Sequence, residues 1–399
     1  MKSLKSLYRV GYGPSSSHTM APSNASKEMR LRYKNANKYV ITLYNSLALT
    51  GDGHFTDKAI LKELDGLDVK FIKELDETKH PNTLLFEIYQ NDKLLNKQEV
   101  YSVGGGKIIF ENEEDTDLSI YPHHRFDDIK KFVKENNITL YEYVLMHEDK
   151  DIKDYLKYIW SKMKESINNG IKTEGILPGN LNVVRKAKTL TKQKLKYEAP
   201  EIKENRLISA YAFAVNEENA AGGMVVTAPT CGASGTMPAV LKYMQDRYKF
   251  SDDKIIEALA VGGLIGNLIK HNASISGAVA GCQAEVGSAC SMAAAAHATL
   301  FNLSIEQVEY AAEIAMEHHL GLTCDPINGF VQIPCIERNA VAALRAVDAC
   351  GLAFILSDTR KISFDMVIDT MYQTGLDMND KYKETSKGGL AKFYNKNCW

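Results

Sequence analysis

An α-helix is predicted for Ala340-Val-Ala-Ala-Leu-Arg-Ala-Val-Asp-Ala-Cys-Gly-Leu-Ala-Phe-Ile-Leu356, where apolar residues recur at i, i+3 and i+4. Ile305–Met316 has the same spacing, and Ala293–Ala296 extends a run of strong helix formers. Strand-like runs are few beyond Phe126. Residues 126–399 are therefore predicted to form a mostly α-helical domain that ends in a tail at residues 391–399.

The first third of the chain mixes strand and helix patterns. Lys38–Ala48 is rich in Val, Ile, Thr and Tyr, which favours a strand, and Thr56–Leu64 has helical apolar spacing. Thr83–Tyr89 and Glu99–Val103 are strand-like runs around Gln90-Asn-Asp-Lys93, which predicts a hairpin.

Glycines and an acidic segment end this mixed region. Gly104-Gly-Gly106 predicts a tight bend before an apolar run, Lys107–Phe110. The acidic segment 111–117 follows and ends near Tyr121-Pro122. We therefore predict a multidomain chain, with an α+β domain at residues 1–125 ahead of the helical domain.

Composition and charge exclude several classes of protein. The net charge is −2, with 48 basic and 50 acidic residues, which gives no reason to expect nucleic acid or a membrane as partner. The N-terminus lacks a signal-peptide pattern, so a cytoplasmic protein is expected. Seven cysteines, an odd number, argue against a secreted disulfide framework. Of these, Cys290 and Cys350 lie in Ala-rich helical runs and are expected to be packing residues.

Three other cysteines lie beside Gly or Pro, where a core residue is rarely placed. They are Cys282 and, 42 residues later, Cys324, with Cys335 eleven residues beyond that. Soft thiolates in sets of three or four select zinc or an iron–sulfur cluster, and the spacing alone does not choose between them. Buried packing residues remain the alternative. Cys398, the penultimate residue, is a fourth candidate on a movable tail.

Two polar motifs precede the helical domain. Gly11-Tyr-Gly-Pro-Ser-Ser-Ser-His-Thr-Met20 is dense in short hydrogen-bond donors, which suit either a carboxylate ligand or the cap of a helix. In Thr50-Gly-Asp-Gly-His-Phe-Thr-Asp57, His54 lies near two aspartates. A histidine held by a carboxylate is a workable general base near neutral pH, although a surface histidine fits the same pattern.

Six motifs together carry a resemblance to a known family. They are Gly13-Pro-Ser-Ser-Ser-His-Thr19, Ser46-Leu-Ala-Leu-Thr-Gly-Asp-Gly-His54, Ala214-Val-Asn-Glu-Glu-Asn-Ala-Ala-Gly-Gly223, Val226-Thr-Ala-Pro-Thr230, Asn272-Ala-Ser-Ile-Ser-Gly277, and Cys324-Asp-Pro with Pro-Cys-Ile-Glu-Arg-Asn339. The chain resembles the iron–sulfur-dependent L-serine dehydratases over nearly its whole length, in the form that fuses β-type and α-type parts.

This resemblance implies a cofactor and a set of ligands. It implies a [4Fe–4S] cluster held by Cys282, Cys324 and Cys335, with Cys398 able to occupy the open iron in the resting enzyme. It also implies an N-terminal domain like the allosteric substrate-binding domain of this family. Cys231 and Ser234 depart from the family loop, where Asn and Cys are frequent, and Cys231 is not assigned as a ligand.

The implied reaction is the deamination of L-serine to pyruvate and ammonia. The open iron would bind the hydroxyl as a Lewis acid, and His54 is the expected base. The candidates for contact with L-serine are Ser15, Ser16, Ser17, His18, Thr19, Lys270, Asn272, Ser274 and Arg338. No pyridoxal phosphate is expected, because a Ser-x-Lys-x-Arg-Gly motif is absent.

Two other interpretations stay open at this stage. A related lyase with the same cluster would act on cysteine or another small amino acid. A non-enzymatic amino-acid sensor would use the metal only to hold its fold. A homodimer is expected in each case, because most soluble oligomers are twofold homodimers.

Overall fold

The computed structural model describes residues 1–113, 118–193, 196–356 and 359–394. It has an N-terminal part built on a mixed β-sheet and a mostly helical C-terminal part. This arrangement agrees with the two classes of structure that the sequence predicts. The boundary between residues 125 and 126 stays a prediction.

The N-terminal part contains one five-stranded sheet. Its strands are β2 (Lys38–Tyr44), β3 (Asp68–Glu74), β4 (Thr83–Gln90), β5 (Lys93–Ser102) and β6 (Ile108–Phe110), and β1 (Val10–Tyr12) lies outside it. The spatial order is β3-β2-β4-β5-β6, with β2 and β3 parallel and the other pairs antiparallel. Apolar residues alternate along β2 and β4, so that Tyr39, Ile41, Phe86 and Ile88 are buried in one core.

Three helices belong to this part. They are α1 (Ala21–Arg32), α2 (Ser46–Thr50) and α3 (Thr56–Glu63). Residues Ala25 and Met29 of α1 and Ile60 of α3 enter the same core as the buried face of the sheet. One layer of helices therefore covers one face of the sheet.

Both turns predicted around β5 are confirmed. Asn91 and Asp92 connect β4 to β5 with φ angles of 48° and 62°, as a tight hairpin turn requires, so β5 begins earlier than the sequence pattern indicates. Gly104, Gly105 and Gly106 have φ angles of 96°, 59° and 79°, a conformation that glycine adopts at low cost. These three glycines turn the chain from β5 into β6.

The C-terminal part is assembled from helices. They are α4 (Phe126–Glu135), α5 (Leu140–His147), α6 (Ile152–Lys172), α7 (Ala187–Lys192), α8 (Pro200–Ala220), α9 (Thr236–Tyr248), α10 (Asp252–Asn272), α11 (Gly277–Ala280), α12 (Ser288–Leu300), α13 (Ile305–Glu317), α14 (Cys335–Leu356), α15 (Phe364–Asp377) and α16 (Gly389–Tyr394). The three helical patterns read from the sequence fall in α12, α13 and α14.

Helix α12 lies at the centre of this part. Every one of its residues is buried, and it packs against α9, α10, α13 and α14. Its alanines allow close approach: a Cβ on Gly262 of α10 would lie 2.8 Å from the carbonyl oxygen of Met292. A helix that is apolar on all sides is stable only when it is enclosed in this way.

The first twelve residues pack with the helical part. Met1, Leu4, Leu7 and Tyr8 lie in its hydrophobic core. Strand β1 pairs antiparallel with β7 (Met224–Val226), which follows α8. This pairing brings the Ser15–Thr19 motif, just after β1, against the helical part.

Helix α14 is long and apolar enough to cross a membrane by length and composition. In this fold Ala342, Ala346 and Ala349 are buried, and the helix packs against α8, α12 and α13. A core helix of a globular protein meets the same criterion, so packing accounts for its composition.

Candidate active site

A buried cavity lies where loops of the two parts meet. It is lined by Pro14, Ser15, His54, Gly232, Cys282, Glu285, Val286, Cys324, Pro326, Val331, Cys335 and Glu384. The two polar motifs of the N-terminal part each supply residues, and all three cysteine segments reach the same space. Residues more than 300 positions apart therefore share one site.

Each cysteine lies at a break in regular structure. Cys282 follows Gly281, whose φ angle is 73°, and it directly precedes a π-helical turn at Gln283–Gly287. Cys324 forms an isolated parallel bridge with Lys383, and Cys335 is the first residue of α14. Backbone irregularity at these positions lets three distant segments turn their thiols toward one cavity.

Burial determines the protonation of these thiols. It raises the pKa of Cys282 to about 12, although the Arg338 guanidinium opposes that rise, and it raises the pKa of Cys324 and Cys335 as well. A thiol must lose its proton to bind a metal. Because burial opposes that loss, a cationic metal group is the kind of partner that would stabilise the three thiolates.

Three thiols that reach one cavity are a donor set that suits an iron–sulfur cluster. No group of three or more His, Cys, Asp or Glu side chains in the described ranges is arranged to hold one metal ion. Tetrahedral zinc requires four ligands around one point, whereas an iron–sulfur cluster takes its thiolates on separate irons. Gly277 leaves room at this position, because a Cβ there would lie 3.1 Å from Cys324 Sγ.

His54 points an unprotonated nitrogen into the cavity. Its Nδ1 lies 3.0 Å from the Thr50 carbonyl oxygen, which can only accept, so Nδ1 carries the hydrogen and Nε2 has the lone pair. Nε2 has no hydrogen-bond partner among the described residues. Burial lowers the pKa of His54 to about 4. The ring is therefore neutral at physiological pH, as a general base must be.

The carboxylate near His54 is not the one that the sequence indicated. Asp52, in the same motif, forms an ion pair with Lys73 at the surface. Glu384 instead has its Oε1 3.9 Å from His54 Nε2. The backbone carbonyl of Thr50, rather than a nearby aspartate, orients the imidazole.

The ring of His18 packs against the ring of His54. Its ring centroid lies 4.6 Å from that of His54, while Nδ1 lies 2.8 Å from Ser17 Oγ and Nε2 lies 2.9 Å from Ser46 Oγ. Burial and the neighbouring His54 hold the pKa of His18 well below its usual range. Both ring nitrogens are thus occupied by hydroxyl groups of the chain itself.

Two hydroxyl groups fasten the N-terminal motifs to each other. Thr19 Oγ1 donates to the backbone carbonyl of His54 at 2.7 Å, and Thr56 Oγ1 donates to that of His18 at 2.5 Å. Thr19 Oγ1 also accepts from the Ser15 amide at 3.1 Å. Within the predicted set Ser15–Thr19, Ser15 contributes to the cavity lining, although its Oγ also accepts from the His18 amide at 3.1 Å. Ser16 is buried outside the lining, and Ser17, His18 and Thr19 bond within the motifs.

Two cavity residues escaped the sequence analysis. Glu285 lies three residues after Cys282, and burial raises its pKa to about 7. Glu384 has a φ angle of 57°, and its amide donates to the Cys324 carbonyl at 2.9 Å. Burial and then Glu285 raise the pKa of Glu384 to about 8. The glycine-bearing segment Lys383-Glu-Thr-Ser-Lys-Gly-Gly389 was the available signal for Glu384.

Arg338 lies behind the cysteines rather than among the cavity-lining residues. It donates to the Thr323 carbonyl at 2.6 Å and to Asp325 Oδ1 at 2.9 Å, and these residues flank Cys324. Its neighbour Glu337 pairs with Lys186. Arg338 is therefore placed to hold the Cys324 loop.

Three other predicted substrate residues lie outside the cavity lining. Lys270 donates to the Ser6 carbonyl at 3.2 Å, and Asn272 donates to the His124 carbonyl at 2.7 Å. Ser274 Oγ accepts a backbone N–H from two residues later in its own loop. A role for these three residues in binding L-serine stays a prediction.

The remaining cysteines divide into two cases. Cys231 is buried in an apolar cluster with Met20, Ile167, Val215 and Val225, although the next residue lines the cavity. Cys398 lies outside the described residues, so its role stays a prediction.

Comparison with known families matches both parts of the chain. The serine dehydratase beta chain family matches residues 3–76, and the serine dehydratase alpha chain family matches residues 57–391. The second match alone covers more than half of the chain.

Similar full-length proteins come from several bacteria. L-serine dehydratase 2 of Escherichia coli is 40% identical over 98% of each chain, and L-serine dehydratase 1 of the same organism is 39% identical over 98% of this chain and 99% of its own. L-serine dehydratase of Streptomyces coelicolor is 41% identical over 96% of this chain and 97% of its own. The chain therefore belongs to the single-chain L-serine dehydratase family of enzymes, with the β-type and α-type parts fused.

Proposed function

We propose that this enzyme deaminates L-serine to pyruvate and ammonia. The observation that carries the proposal is the unpartnered Nε2 lone pair of His54, which faces a cavity that three cysteines share. A base and a set of metal ligands in one buried space are the parts that an elimination of water requires. The names of the similar proteins identify L-serine as the substrate to test first.

Cys282, Cys324 and Cys335 would hold a [4Fe–4S] cluster. When bound, this group supplies a Lewis acid that stabilises the departing hydroxide. The chain's own contribution is a buried set of thiols: Cys282 and Cys324 are buried, and Gly277 leaves space beside Cys324 Sγ. Arg338 supports this set of thiols through its bonds on both sides of Cys324.

His54 would take the α-proton of L-serine on Nε2. The Nδ1–H bond to Thr50 fixes the tautomer, so that the proton has one place to go. Loss of the α-proton and of the β-hydroxyl group, which leaves as water, gives aminoacrylate. Aminoacrylate tautomerises to the imine, and water then hydrolyses the imine to pyruvate and ammonia.

Ser15 is the member of the N-terminal motif best placed to contact the substrate carboxylate, since it lines the cavity. His18, Thr19 and Ser17 would act by positioning, because their side chains hold the loop and ring of the base. The β-type part would thus contribute to catalysis as well as to any effector binding.

Cys398 would be a removable occupant of the open metal position. Leu390 at the start of α16 donates its amide to Asp325 Oδ2 at 2.8 Å, so the chain leading to Cys398 begins beside the Cys324 loop. Cys398 lies four positions after Tyr394, a reach of about 14 Å when extended. Cys398→Ala should then keep the cluster and raise activity; loss of the whole cluster would make Cys398 a structural ligand.

Three further features are proposed from family and composition. The N-terminal part would bind an effector, the enzyme would act as a homodimer, and it would be cytoplasmic. None of these features is needed for the chemistry at His54.

Anaerobic purification followed by three assays tests the proposal. We expect iron, acid-labile sulfide and pyruvate formation from L-serine in the same preparation. Active protein without iron and sulfide would overturn the cluster. A higher kcat/KM for L-cysteine than for L-serine, L-threonine and D-serine would identify a different lyase. Metal-bearing protein that binds serine without turning it over would identify a sensor.

A further inference from the structure

The cavity is lined by more acidic than basic side chains. Glu285 and Glu384 both line it, and none of the described lining residues is a lysine or an arginine. The nearby Arg338 donates to Thr323 and Asp325, and its positive charge acts on the thiol of Cys282. Carboxyl groups that share a buried space hold their protons, as the raised pKa values of Glu285 and Glu384 indicate, until a cation or strong hydrogen-bond donors stabilise the charged form.

Glu384 has an open carboxylate. Its backbone is fixed by the bond from its amide to the Cys324 carbonyl, and its side chain is 11% exposed. Its Oε1 lies 3.9 Å from His54 Nε2. That distance is too long for a hydrogen bond, so neither atom satisfies the other.

Glu285 lies on the cysteine side of the same space. The Thr230 hydroxyl donates to it. A Cβ on Gly277 would lie 2.8 Å from Glu285 Oε2 and 3.1 Å from Cys324 Sγ, so the carboxylate and the thiol lie beside the same point. Any side chain larger than a hydrogen atom at Gly277 would occupy this point.

A second observation identifies the space between these groups as a ligand site. His54 is fully buried, and its Nε2 faces the cavity without a partner among the described residues. An unsatisfied buried acceptor beside two carboxylates requires a ligand that brings hydrogen-bond donors, because leaving all of them desolvated costs several kcal/mol.

We propose that Glu384 and Glu285 bind the α-ammonium group of the amino-acid substrate. This inference rests on the proposed function and adds the subsite that selects an amino acid over other hydroxy acids. An ammonium nitrogen about 2.8 Å from Glu384 Oε1 brings the attached Cα, and its hydrogen, next to His54 Nε2. The β-carbon then extends toward the three cysteines.

This arrangement gives the carboxylates of Glu384 and Glu285 a hydrogen-bond donor. The ammonium donates three hydrogen bonds, two of which the carboxylates accept. The substrate carboxylate is left for the Ser15 side of the cavity. A ligand that lacks the ammonium would leave Glu384 and Glu285 buried without a donor.

Equilibrium binding to the anaerobic holoenzyme tests the proposal without turnover. L-alanine and propanoate are a matched pair, because they differ only in the α-ammonium group and neither has a leaving group. Wild-type protein should bind L-alanine more tightly. Glu384→Gln and Glu285→Gln should each weaken L-alanine binding by about 10- to 100-fold and change propanoate binding by less than about twofold. Glu337→Gln, an exposed carboxylate on α14, should change neither.

Each contrary result has a defined meaning. Equal loss for both ligands, no loss for either, or no preference of wild-type protein for L-alanine would overturn the ammonium site. Both variants must also keep wild-type iron and acid-labile sulfide, and loss of the cluster in both would make the carboxylates structural. Pyruvate formation by the wild type is measured separately, and its absence would contradict the proposed function. If pyruvate forms but L-alanine and propanoate bind equally well, only the ammonium subsite is contradicted.

Discussion

The two sides of the cavity satisfy their polar groups in opposite ways. On the side of the sheet, Thr19 and Thr56 bond the two motifs together, and both nitrogens of His18 are occupied. On the helical side, the thiols of Cys282, Cys324 and Cys335 face a common space. Apart from His54 Nε2, the first side satisfies its hydrogen bonds within the chain, whereas under the proposed function the second side is complete only when a metal group occupies it.

The largest expected effect is on the helical side. Cys282→Ala removes a proposed ligand that no other described side chain in the lining replaces, so we expect loss of iron, of acid-labile sulfide and of all measurable activity. Cys290→Ala is the matched control, since Cys290 is buried in α12 and lies outside the cavity lining. Wild-type iron content in Cys282→Ala, measured anaerobically, would contradict the assignment.

The next largest effect is expected for His54→Gln, which tests the proposed base independently of the proposed metal ligands. His54→Gln should lower kcat by about 10²- to 10⁴-fold, because it removes proton transfer and leaves the cysteines in place. Iron and sulfide should stay at wild-type levels. His318→Gln, at the exposed end of α13, should keep full activity. Retention of more than a tenth of wild-type kcat by His54→Gln would exclude His54 as the base.

Local sequence patterns predicted most of the fold. The glycines at 104–106 predicted a tight bend because glycine adopts positive φ at low cost, and all three have positive φ in the structure. The apolar spacing of α13 and α14 predicted helices because each buries a face. Strand β1 was missed, since Val10–Tyr12 is too short for a periodic pattern and is stabilised by a partner more than 200 residues away.

The residues of the candidate site also fall into those that local sequence patterns predicted and those that depend on long-range contacts. His54 and the three cysteines stand out locally, because glycine or proline lies beside them. Glu285 and Glu384 do not stand out, because an acidic residue is ordinary until its surroundings are known. Lys270 and Asn272 were predicted from a conspicuous motif, but their side chains bond backbone carbonyls and lie outside the cavity lining. Burial and long-range contact, which decide these cases, are not local properties of a sequence.

The buried base should also make stability depend on pH. The folded pKa of His54 is lowered to about 4, below the ordinary value of 6.5, so between these values the unfolded chain binds more protons. Stability is therefore present above pH 6.5 and is lost as the pH falls toward 4, by about 3 kcal/mol for this group. Denaturant unfolding of wild type and His54→Gln at pH 7 and pH 5 measures it. An equal pH dependence in both proteins would contradict the assignment.

The smallest expected effect tests whether the bonds on the sheet side position the base. Thr19→Val keeps the shape of the side chain but removes the donor to the His54 carbonyl and the acceptor for the Ser15 amide. We expect a loss of about 1–3 kcal/mol in stability and a several-fold fall in kcat with iron content unchanged. Thr370→Val, whose hydroxyl bonds along the exposed face of α15, is the control and should change neither. Because the metal ligands are untouched, a fall in iron content would mean that the two sides of the cavity do not act independently.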